Sequence, residues 1–223
     1  MEFLSSIKLY EFLRGPMVWV AFLIFVVGSV IRVGWLLALA KKEKTIFPFF
    51  NGWAALKSIS HWLFPFGSRS WRLRPYFTIF TFIFHTGLVL VPIFLVAHNV
   101  LIQESWGISW WTLPDKVADV WSILVIAGCI FFICRRIFDP TPRFVTNWAD
   151  YAFIFICLFT FLTGILAHYQ LILPHTAMVN LHIIFGEIML ISIPFTRLIH
   201  IFYFFFTRSY MASQFAWWKT KDW

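Results

Sequence analysis

Five long apolar stretches, at roughly 16–40, 76–102, 117–138, 148–170 and 178–206, decide what this chain can fold into. A helix needs about 20 mainly apolar residues to cross a bilayer, and each stretch has that length. Backbone amides in lipid must be satisfied within the segment, and the runs are far too long for barrel strands, so they read as helices. Of the 223 residues 61% are hydrophobic and 13% charged, whereas a soluble domain is about 45–50% apolar and about 25% charged. The expected fold is therefore all-α and integral to the membrane, one domain over residues 1–223 in contact with membrane lipid.

The formal charge of +8 does not point to nucleic acid, because the basic residues cluster in the connections between spans. Lys41, Lys42, Lys44, Lys57, Arg69, Arg72 and Arg74 in the first connection share one face with Arg135, Arg136 and Arg143 in the third and with Arg208, Lys219 and Lys221 in the tail. The opposite face holds only Lys8, Arg14 and Lys116, while Arg32 and Arg197 lie within spans. Positive charge stays inside, so the N-terminus is expected outside and the C-terminus inside. Glu2 and Glu11 ahead of the first apolar run, with no small-residue cleavage site after it, argue against a removable signal. Residues 51–64 mix Trp and Leu with Lys and Ser behind a candidate cap, as suits a helix lying in the cytoplasmic interface. Trp106, Trp110 and Trp111 in the outer loop 103–116 suit anchorage at the headgroups. Cys129, Cys134 and Cys157 fall in apolar runs without a C-x-x-C pair and read as small hydrophobes.

Histidine inside lipid is expensive and marks a candidate site. His85 and His98 lie on the second span and His182 and His200 on the fifth, which runs the opposite way. Each membrane level thus receives one histidine from each helix, His85 with His200 toward the cytoplasm and His98 with His182 toward the outside. That arrangement suits two bis-histidine haems, non-covalent because no haem-attachment motif is present. The separations along the helices are about 20 Å and about 27 Å. His182 and His200 fall on one helix face, but His85 and His98 fall roughly 140° apart on an ideal helix. Pro92 between them can change the twist, and His168, with His175 beyond it, is the alternative outer ligand. Gly87 and Gly186 offer room for a flat macrocycle, and Arg197 can meet a propionate or snorkel to the interface.

The fifth span, LHIIFGEIMLISIPFTRLIHIF, the connection RRIFDPTPRFVTNWADY and the FHTG around His85 resemble the gamma subunit of respiratory nitrate reductase, a five-span dihaem cytochrome b. The resemblance covers nearly the whole chain. It implies a bundle of five transmembrane helices around two haems, with His85 and His200 on the cytoplasmic-side haem b and His182 on the outer one. The family's second histidine in the second span falls where this chain has Leu95, and His98 is the nearest to it. That departure, the FLRGP start and the Trp-rich loop look more like cytochrome b subunits of sulfate-reducers' transmembrane redox complexes, the Tmc, Hmc and Dsr types. Such membership implies a cytoplasmic iron–sulfur subunit resembling heterodisulfide reductase and a periplasmic multihaem cytochrome c.

The expected function is electron transfer across the membrane between a periplasmic cytochrome c or the menaquinone pool and the cytoplasmic subunit. A quinone or proton site would draw on His168, His175, Glu104 and Asp115 at the outer end, or on Glu187, the one carboxylate deep in a span. The alternative is a cofactor-free transporter or proton channel using the same histidines as a relay.

Overall fold

The computed structural model describes residues 3–43 and 46–223; Glu2 and Lys44, used above to read the leader and the topology, lie outside them. The described residues form helices and turns with no strand. Five helices are long and apolar enough to cross a membrane: Ile7–Lys42, Pro75–Phe94, Asp115–Phe138, Trp148–His168 and His175–Phe195. The protein is an all-α, multi-pass membrane protein.

Three span boundaries differ from those expected, each for a local reason. The first span begins earlier than residue 16: α1 (Ile7–Phe12) continues through a π-helical turn (Leu13–Met17) into α2 (Val18–Lys42). Pro16 has no N–H to donate, and the wider turn accommodates the missing bond. The second is two helices, α5 (Pro75–Phe94) and α6 (Val96–Trp106), separated by an extended Leu95. Between them in sequence and α2 come α3 (Gly52–Leu63) and the short α4 (Arg69–Arg72). The fifth ends as α10 (His175–Phe195) and resumes, after one 3-10 turn (Arg197–Ile199), as α11 (His200–Trp217). Thr196 stops it: its backbone is extended and its Oγ1 accepts from the Leu198 amide at 3.2 Å, a cap for a new helix. The third and fourth spans match expectation as α7 (Asp115–Phe138) and α9 (Trp148–His168), with α8 (Pro140–Val145) between them. Asn147 and Asp150 close a capping box at the start of α9.

The chain divides into two compact units, residues up to Pro16 with Phe80–Met189, and Met17–Ile79 with Leu190–Trp223. In the first, α5, α7 and α9 meet over Phe84, Val91, Val125, Cys129, Cys157 and Phe161. Close approach depends on glycine: a Cβ at Gly87 would lie 2.6 Å from Val125 Cγ2, and one at Gly128 3.1 Å from Phe84 Cβ. Thr160 Oγ1 donates to the Phe185 carbonyl at 3.2 Å, joining α9 to α10. The N-terminal segment is held by Asn180, whose Nδ2 donates to the Leu4 carbonyl at 2.7 Å, and by an Arg14–Glu104 ion pair.

In the second unit α3 is the helix expected for the 51–64 segment. Asn51 caps it by accepting from Ala54 N at 3.0 Å. Its buried Ala55 and Ser58 face α11, while Trp53, Leu56 and Leu63 are exposed. The C-terminal residues fold over this pair. Buried Asp222 accepts from Ser58 Oγ at 2.6 Å and pairs with Arg208 at 3.5 Å, and the Trp223 ring stacks on His61.

Candidate functional site

His98 and His182 come together in the first unit. Their ring centroids are 6.0 Å apart and their planes 8° from parallel. Two imidazoles bound to opposite faces of one metal, each through a bond of about 2 Å, hold their centroids roughly 6 Å apart. The separation suits both rings holding one metal between them, as in a bis-histidine haem, which would supply the remaining ligands. Among the described residues no group of three or more His, Cys, Asp and Glu is arranged to hold a bare ion.

The break at Leu95 supplies the aim that an unbroken helix denies His98. Ending α5 there frees carbonyls at membrane depth, where each needs a partner. Every one finds one. The Val91 carbonyl accepts from Leu95 N at 2.9 Å, and that of Pro92 from His98 Nδ1 at 2.9 Å. Ile93 accepts from Trp110 Nε1 at 2.9 Å and Phe94 from Leu113 N at 2.8 Å. Asn99 Nδ2 donates to the Trp110 carbonyl at 3.0 Å and fixes the loop that does this. Trp110, expected as a headgroup anchor, is thus half of the device that holds the break.

The tautomers follow from the same bonds. A backbone carbonyl only accepts, so an Nδ1 within hydrogen-bond distance of one carries a proton, and in the neutral ring Nε2 then keeps the lone pair. His182 Nδ1 donates to the Thr160 carbonyl at 3.0 Å, His85 Nδ1 to Thr81 at 2.8 Å and His200 Nδ1 to Arg197 at 2.9 Å. Metal-bound histidines are commonly oriented in this way. His61 makes the same bond to Lys57 at 2.7 Å, but outside the spans. His85 belongs to the first unit and His200 to the second.

Glycine at 164 makes room for His182. A Cβ there would lie 3.0 Å from the imidazole Cε1 and 3.2 Å from Nδ1. Gly186 faces open space, as a cradle would, whereas Gly87 is consumed by packing against α7.

The remaining candidates are dispersed. His168, at the end of α9, is exposed and lies 4.0 Å through Nε2 from Asp119 Oδ1. Tyr169 donates to the other Asp119 oxygen at 2.7 Å, and this hydrogen bond holds the phenol above its ordinary pKa. His175 is exposed at the start of α10. Glu104 pairs with Arg14, and Asp115 opens α7. Glu187 is 5% exposed, and its Oε1 has no hydrogen-bond partner. Arg197 sits in the 3-10 turn before His200. Gly164, Asp119 and Tyr169 were not singled out from the sequence; an unremarkable glycine and a tyrosine at an interface carry no signal until their neighbours are known.

No protein-family model matches the chain. A protein of Nitratidesulfovibrio vulgaris strain Hildenborough, described only as a protein, is 37% identical over 216 residues, covering 93% of this chain and 94% of its own. This chain belongs to the same family as that protein. The likeness runs over almost the full length of both.

Proposed function

We propose that the protein is a dihaem b-type cytochrome that anchors a respiratory redox complex and carries electrons across the bacterial inner membrane. The observation that carries this reading is the His98–His182 pair, with parallel rings 6.0 Å apart and both Nδ1 protons committed to carbonyls. His98 and His182 would hold the periplasmic-side haem, and His85 and His200 the cytoplasmic-side one. Haem iron held by two of these histidines would supply one-electron transfer rather than oxygen chemistry.

The protein's own residues do the rest. The carbonyl partners fix each imidazole's tautomer and direction. The helices around the half-buried His98 and His182 would limit water there, and Arg197 would meet a propionate. With the N-terminus periplasmic, the basic connections face the cytoplasm, where an iron–sulfur subunit of the heterodisulfide-reductase kind would dock. A multihaem cytochrome c would serve the periplasmic end, or menaquinone with His168, His175 and Glu187 as its proton groups.

The test is the reduced-minus-oxidised visible spectrum of the purified protein, with extractable haem counted per chain. Low-spin b-type bands and about two non-covalent haems per chain are expected. A colourless protein, isolated under conditions that preserve haem, overturns the reading in favour of a transporter or proton channel.

A further inference from the structure

We propose that Ser29 and Arg32 form a buried oxyanion site, for a carboxylate or a phosphate, in the second unit. Both lie on α2, three residues apart and so on neighbouring positions of one helix surface. Ser29 is 6% exposed, and its Oγ has no hydrogen-bond partner. Serines inside helices usually return the hydroxyl to the carbonyl four residues back, as Ser60, Ser209 and Ser213 do here. Ser29 does not, so its proton is available to a ligand. The Arg32 guanidinium stacks over Trp35 at 5.5 Å, and its buried Nε likewise has no partner. Guanidinium carries only donors and stays charged. A charge at this depth requires a counterion, and no carboxylate supplies one along α2, where the next acid is Glu43 at the far end.

Two contacts place the site. Gly28 receives Pro194, whose Cβ would lie 2.8 Å from an added methyl, and Tyr203 donates to the Arg32 carbonyl at 3.1 Å. Ser29 and Arg32 therefore sit on the turn of α2 that meets the stretch from Pro194 to Tyr203, which contains His200. Arg32 also lies eight residues before Ala40, about 12 Å inside the end of the apolar run. Two sources present an oxyanion there: a propionate of the group His200 would hold, which rests on the haem reading, and an anionic phospholipid reached by snorkelling, which does not.

The experiment compares purified wild type with Arg32→Gln, Arg32→Lys and Ser29→Ala. It reads the propionate bending bands by resonance Raman, the two haem midpoint potentials, and anionic phospholipid per chain by extraction. A propionate ligand predicts that Arg32→Gln shifts one set of propionate bands and one potential, with partial recovery in Arg32→Lys. A lipid ligand predicts loss of about one anionic phospholipid per chain with the haem spectra unchanged. Either outcome supports the site. Wild-type values for all three readouts in Arg32→Gln and Ser29→Ala overturn it. Should Arg32→Gln fail to accumulate, Ser29→Ala, which keeps the charge, decides alone. If wild type itself carries no haem, the cytochrome reading fails and the phospholipid count decides the oxyanion site.

Discussion

At the scale of single residues, the geometry divides the histidines by what each ring faces. His98 and His182 share a parallel arrangement, whereas His168 faces Asp119 and Tyr169. On the proposed dihaem reading, replacing His98 or His182 by Ala is expected to lower extractable haem from about two to about one per chain, and replacing His168 to leave it unchanged. Gly164→Ala forces a methyl to 3.0 Å from the His182 ring, an overpacking that typically costs about 1–3 kcal/mol. A displaced Soret or α band with both haems retained is the expected sign; an unchanged spectrum would show that the ring gives way freely. The histidine positions were legible because a polar ring in an apolar run stands out. Gly164 was not, since its meaning depends on a ring from another helix.

At the scale of elements, the break at Leu95 and the α3–α11 pair matter most. Trp110→Phe keeps an aromatic ring but removes the donor to the Ile93 carbonyl, and an ordinary hydrogen bond contributes about 0.5–1.5 kcal/mol. A lower thermal midpoint and easier loss of one haem are expected, whereas Trp111→Phe should resemble wild type. Removing Asp222 and Trp223 takes away the carboxylate shared by Ser58 and Arg208 and the ring on His61. Amide exchange across Gly52–Leu63 should then accelerate while the spans stay protected. The α3 helix could be read to within a residue from its cap and mixed composition. The break could not: Leu95 is no helix breaker, and Pro92 signals only a kink. What stops the helix is a loop whose donors arrive 15 and more residues later.

At the scale of the molecule, the length and spacing of the five apolar stretches were enough for the all-α, five-span architecture, since so apolar a chain has few ways to satisfy its backbone. The division into two units was not legible, because α5 and α10 each run unbroken past the dividing points at Phe80 and Leu190. The one-sided distribution of Lys and Arg predicts the sidedness. Reporters fused after Leu63 or after Trp223 should be active only as cytoplasmic fusions, and one fused within the 107–114 loop only as a periplasmic fusion. The reverse pattern would invert the assignment of both ends.

The capped break also sets an order of events in biosynthesis. The carbonyls of Ile93 and Phe94 are closed by Trp110 and Leu113, which leave the ribosome later. A nascent chain that has delivered α5 and α6 has delivered an unfinished span, with polar groups that water must cover until the following loop emerges. His98 acquires its direction in the same step. A chain stopped short of Trp110 would end in a segment that lipid cannot accept, and the haem capture proposed at this level would wait until translation has passed it.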